Sequence, residues 1–121
     1  GNEPCGYVFD KTPIELLVSP GEWTEATISD TQQHLYSFQA PWTGSFTLSW
    51  KQTGDEDPPA YTAEIAVSAY LEDQYTPIFE WEEMSGYYDP KILGLTSGEV
   101  IYVVVEGRDQ SGDYGIRVMS P

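Results

Sequence analysis

The chain has 121 residues, with 20 acidic side chains against five basic ones and a single histidine, for a formal charge of −15. A field of that sign repels phosphate backbones and anionic headgroups, which argues against nucleic acid and membrane surfaces and leaves cations, basic surfaces and uncharged ligands as partners. Hydrophobic content of 40% with 14% aromatics excludes a disordered tail, and the length suits one domain that buries roughly two thirds of its unfolded surface without disulfides.

Residues 1–13 read as an N-terminal extension and 14–121 as a single domain. The chain opens on Gly1 rather than a methionine, as expected of a trimmed piece of a longer precursor, and a removed export signal would fit that expectation. Cys5 has no second cysteine to pair with, so it is either a free thiol or a link to something outside this chain. No apolar run is long enough to cross a bilayer. Short runs rich in β-branched and aromatic residues, cut by prolines and glycines, then predict strands at Ile14–Val18, Thr24–Ser29, His34–Gln39, Ser45–Lys51, Tyr61–Leu71, Pro77–Trp81, Lys91–Leu95, Glu99–Glu106 and Asp113–Met119. Phe46, Leu48 and Trp50 alternate with Ser45, Thr47 and Ser49. Tyr61, Ala63, Ile65, Val67, Ala69 and Leu71 face inward against Thr62, Glu64, Ser68 and Tyr70. In the eighth strand Val100, Tyr102 and Val104 oppose Ile101, Val103 and Val105, so both faces are expected to be covered. The residues Arg108 to Gly112 read as a hairpin loop into the last strand, where Tyr114, Ile116 and Val118 share a face. Tyr36, Phe38, Phe46, Trp50, Tyr102 and Tyr114 are the expected aromatic core. The fold class is therefore all-β: an antiparallel, jelly-roll-like β-sandwich of about eight or nine strands.

The order of pieces resembles the bacterial pre-peptidase C-terminal domain. The matching segments are Asp30 with Tyr36-Ser-Phe38, Gly44-Ser-Phe-Thr-Leu48, Val67-Ser-Ala-Tyr-Leu71, Gly98-Glu-Val-Ile-Tyr-Val-Val104 and Gly112-Asp-Tyr-Gly-Ile-Arg-Val118, spanning about residues 20 to 120. The resemblance implies a secreted, periplasmic or cell-surface accessory domain with roles in adhesion, substrate binding or solubility. Some members bind calcium or collagen. Gln32, Gln33 and His34 stand where the family has an acidic, tryptophan-bearing turn, which puts a family-type metal site in doubt.

Catalysis is argued against by inventory. His34 is the lone histidine, so serine triads and histidine metal sites lack their parts, and no phosphate-cradling glycine loop or HExxH segment occurs. No cofactor is expected, with calcium as the one inorganic candidate: Asp55, Glu56 and Asp57 offer hard oxygen ligands in a Gly/Pro-rich loop, although the EF-hand spacing is missing. Trp42, Trp81, Tyr87 and Tyr88 fall in turns or loops, with Tyr70 and Tyr75 nearby in sequence, and open rings with polar edges suit docking. The expectation is a non-catalytic accessory or binding domain that meets a protein surface through Trp81–Tyr88. The alternative is a carbohydrate-binding module in which Trp42 and Tyr70 or Tyr88 form a flat platform. The oligomeric state is not legible.

Overall fold

A computed structural model describes residues 12–55, 61–83, 87 and 89–120. Among them are nine strands and no helix: β1 (Ile14–Leu16), β2 (Thr24–Ile28), β3 (Gln33–Gln39), β4 (Gly44–Lys51), β5 (Ile65–Tyr70), β6 (Pro77–Glu82), β7 (Lys91–Leu95), β8 (Val100–Gly107) and β9 (Gly112–Met119). They form a five-stranded sheet in the order β1-β3-β8-β5-β6 and a four-stranded sheet in the order β2-β9-β4-β7. The strands β2 to β9 follow the jelly-roll winding, in which successive strands alternate between sheets and only β5 and β6 join as neighbours. All nine predicted strands are present, and the β-sandwich is the architecture found.

Three expectations are corrected. β8 and β9 are not a hairpin. Each lies between two other strands, β8 between β3 and β5 and β9 between β2 and β4, so residues 108–111 arch from one sheet to the other. The sandwich is also not wholly antiparallel. β1 runs parallel to β3, and Val18 then bridges in parallel to Val118 of the opposite sheet. The predicted strand 14–18 thus splits at Leu17, where the chain changes sheets. Finally, the long strand begins at Ile65 rather than Tyr61. The backbone of Thr62, Ala63 and Glu64 instead donates to the carbonyls of Asp113 and Gln110, beneath the arch. The predicted extension, residues 1–13, lies almost wholly outside the described residues.

Between the sheets, Tyr36 and Phe38 of β3, Phe46, Leu48 and Trp50 of β4, Ile65, Val67 and Ala69 of β5, Ile101, Val103 and Val105 of β8, and Tyr114, Ile116 and Val118 of β9 form the core. Every one is 1% exposed or less, a burial worth about 1.5–3 kcal/mol for each large side chain. Tyr102 is the exception to the expected aromatic core. It sits on the outer face of its sheet beside Leu35, Tyr70 and Val104, because the register Phe38↔Ile101 gives the inward positions to the odd-numbered residues of β8. That satellite cluster is what covers the second face of the strand.

Candidate functional site

Among the described residues, those singled out from sequence do not meet in one place. Trp42, in the β3–β4 connection, is 48% exposed and tilts against Phe46 at 5.6 Å between ring centroids. Trp81, on the edge strand β6, is 49% exposed. Tyr70 is 2% exposed, with its hydroxyl reaching a Glu80 carboxylate at 3.3 Å, so it offers no open ring; burial raises its pKa and the Glu80 charge adds to that. Tyr87 is half-buried beside Lys51, and Tyr88 lies outside the described residues. Asp55 is buried. Its Oδ2 accepts the Gln52 N–H at 2.8 Å and so closes the turn after β4. Glu56 and Asp57 lie outside the described residues. Among the described residues, no three or more His, Cys, Asp or Glu side chains are grouped to hold a metal ion.

Trp81 is held by an unusual piece of backbone. The β5–β6 pairing shifts register twice, between Val67↔Glu82 and Ala69↔Phe79 and again before Tyr70↔Pro77. In a regular strand Phe79 and Trp81 would share a face. Here Phe79 turns inward to stack on Trp50 at 5.9 Å, while Trp81 adopts φ +50° and stands half in solvent. Bulges commonly re-aim a side chain in this way. A bulky residue in the left-handed region costs on the order of 1–3 kcal/mol and persists only when its surroundings fix it. Those surroundings are specific. The Trp81 N–H donates to Ser68 Oγ at 2.9 Å and its indole N–H to Glu83 Oε2 at 2.6 Å. That oxygen also meets Arg108 Nε at 3.1 Å, and Arg108 Nη1 holds Glu64 at 2.7 Å.

On the outer face of the four-stranded sheet lies a second constellation, built on Trp23, which sequence reasoning passed over. Gly115 of β9 leaves a floor without a side chain. A Cβ there would sit 2.9 Å from the Tyr61 hydroxyl and 3.4 Å from Trp23 Cβ. Over that floor Tyr61 donates to Glu25 Oε2 at 2.8 Å, and burial, with Glu25 adding to it, raises the Tyr61 pKa. The Arg117 guanidinium lies 3.9 Å from the Trp23 ring centre, and the Lys51 ammonium lies 4.5 Å from Tyr87 and 5.6 Å from Trp23. Burial lowers the Arg117 pKa. The signal was available. Lys51 and Arg117 fall on outward positions of strands whose partners are small, and a long cation there needs a ring or a carboxylate to lie against.

All four described basic residues are engaged within the molecule. Lys91 meets Glu82 at 3.5 Å, Arg108 bridges Glu64 and Glu83, and Lys51 and Arg117 lie against rings. The charge that remains for a partner is negative. His34 Nδ1 is engaged with the Tyr114 hydroxyl at 2.7 Å. No protein-family model matches the chain, and no curated protein matches it.

Proposed function

We propose that this is a non-catalytic binding domain of an exported bacterial protein, related in plan to the pre-peptidase C-terminal domains it resembles, which docks a protein surface through the β6 edge around Trp81. The observation that carries this reading is the strained, half-exposed Trp81 on its braced bulge. Strain that a glycine would relieve, kept at an exposed tryptophan, is a device for presenting that ring. Tryptophan is also a frequent anchor of protein interfaces. The net charge of −15 favours a basic partner. The carbohydrate alternative required Tyr70 or Tyr88 beside Trp42, and Tyr70 is buried. Calcium at the Asp55–Asp57 loop is a separable part of the proposal, supported by its carboxylates alone. It is checked by melting the protein in millimolar Ca²⁺ and in EDTA: a raised midpoint with calcium is expected for a site, and identical curves discard it.

The test is retention of the chain on immobilised lysozyme and collagen, against chitin and cellulose. Retention on protein, lost in Trp81→Gly, is expected. Retention on polysaccharide selects the alternative, and retention on protein unchanged in Trp81→Gly overturns the role of the bulge.

A further inference from the structure

Three of the four strands at the edges of the two sheets carry features that discourage further pairing. β1 is three residues long and carries Glu15, and β2 carries Glu25. β6 contains Pro77, Glu80 and Glu82, and its register shifts twice. β7 differs. Its five residues, Lys91-Ile-Leu-Gly-Leu95, hold no proline and no carboxylate and pair with β4 in unbroken register. Among the described residues, no strand lies on its other side. Its one charge, Lys91, is held by its own chain, 3.5 Å from Glu82 and 5.6 Å from the Phe79 ring centre. Leu93 and Leu95 lie in the core, so Ile92 and Gly94 share the outer face, and Ile92 is 74% exposed. Gly94 is not explained by the packing of this chain. Its backbone is not left-handed, and a Cβ there would meet no described atom within 4 Å, whereas one on Gly107, Gly112 or Gly115 would collide. Glycine weakens a strand interior and often marks a place where another backbone approaches closely.

We infer that β7 pairs with β7 of a second copy of this chain, antiparallel about a two-fold axis at Leu93, joining the two four-stranded sheets into one. In that register Ile92 of each copy stands directly opposite Gly94 of the other, on the same face, and covers it. An exposed knob and a bare seat two residues apart on one edge strand are self-complementary, which is what a two-fold contact requires. Charge selects the same edge. In a molecule of charge −15, a second copy is repelled least along a strand without carboxylates. A five-residue strand pair is a small interface, so the dimer is weak and concentration-dependent, and it strengthens as salt screens the repulsion. These observations are separate from Trp81 and stand whether or not that ring docks a partner.

The experiment is sedimentation velocity of the full chain over a range of concentrations at low and high salt, with nuclear magnetic resonance on a mixture of labelled and unlabelled chains. A monomer–dimer equilibrium favoured by salt is expected, with concentration-dependent shifts at Leu93 and Gly94 and cross-chain contacts from Ile92 to Gly94. Gly94→Val fills the seat. Its dimer dissociation constant should rise about tenfold or more while the melting temperature of the dilute monomer holds or rises, since valine suits a strand and has room there. Ile92→Lys should weaken the dimer as strongly even though it lowers the net negative charge. Leu17→Lys, with the same change of charge beside the opposite edges of both sheets, should not. A chain that stays monomeric at high salt would overturn the pairing. So would a dimer that Gly94→Val and Ile92→Lys leave intact, or one that Leu17→Lys weakens equally, since either would be built on another surface. A lowered melting temperature in Gly94→Val would also count against it, by tying the glycine to the fold of the single chain.

Discussion

Tyr36 and Tyr114 meet hydroxyl to hydroxyl at 2.5 Å across the two sheets, both fully buried, and His34 Nδ1 closes the line at 2.7 Å. Removing the central hydroxyl leaves a buried tyrosine O–H without this partner, a loss of about 1–3 kcal/mol. Tyr114→Phe should therefore lower the urea midpoint clearly while the far-ultraviolet spectrum stays β-type; an unchanged midpoint would show the line to be idle. The same burial raises the pKa of Tyr36, Tyr114, Tyr61 and Tyr70 above the ordinary tyrosine value of 10.0. A raised pKa means that the folded state holds its protons more tightly than the unfolded one. The associated stability is fully present below pH 10 and is lost as pH climbs through the folded values. Urea midpoints should thus fall steeply above about pH 10, together with a rise in tyrosinate absorbance. A protein that titrates its tyrosines near pH 10 without losing stability would contradict this. On the acid side, Thr76 and the N–H groups of Thr76 and Tyr75 hold Asp73 below its ordinary value, so the 71–76 turn loosens only as pH drops below the usual carboxylate range.

At the scale of elements, runs of β-branched and aromatic residues cut by prolines and glycines located all nine strands, and period-two alternation gave the faces of several of them, because a residue's face in a regular strand depends on its parity. Pairing partners were less legible. The segment 108–111 has hairpin length, yet Gly107 and Gly112 at its ends are places where backbone meets backbone. A Cβ on Gly107 would lie 1.9 Å from the Ser29 carbonyl oxygen, and one on Gly112 2.1 Å from Thr62 Oγ1. Those contacts belong to an arch crossing between sheets, and nothing local in the sequence distinguishes an arch from a hairpin. Gly107→Ala should accordingly cost on the order of 2 kcal/mol or more, read as a fall in melting temperature, because the obstruction is backbone rather than a flexible side chain. Parity also failed at Trp81. A bulge adds a residue and breaks the alternation, so Trp81, two residues after Phe79, does not follow it into the core. Trp81→Gly should leave stability close to that of the wild type, since the strain that glycine relieves at φ +50° offsets the burial lost with a half-exposed ring.

For the whole molecule, the charge of −15 is the property most plainly written in the sequence, and the fold sharpens it by engaging all four described basic residues internally. Self-repulsion follows, so moderate salt should raise the melting temperature while weakening attachment to a basic partner. Sequence located the docking candidates one by one, and folding decided among them: Tyr70 was withdrawn into a cluster, Trp42 and Trp81 stayed open, and Trp23 joined them through cations distant in sequence. The decisive measurement is made on wild type and Trp81→Gly side by side, comparing adsorption to immobilised lysozyme at low and high salt with the urea midpoint of the same samples. Salt-sensitive adsorption of the wild type, with loss of adsorption but no loss of midpoint in the variant, is the expected result. Equal adsorption by both proteins, or a variant that loses binding only because it unfolds, would contradict it.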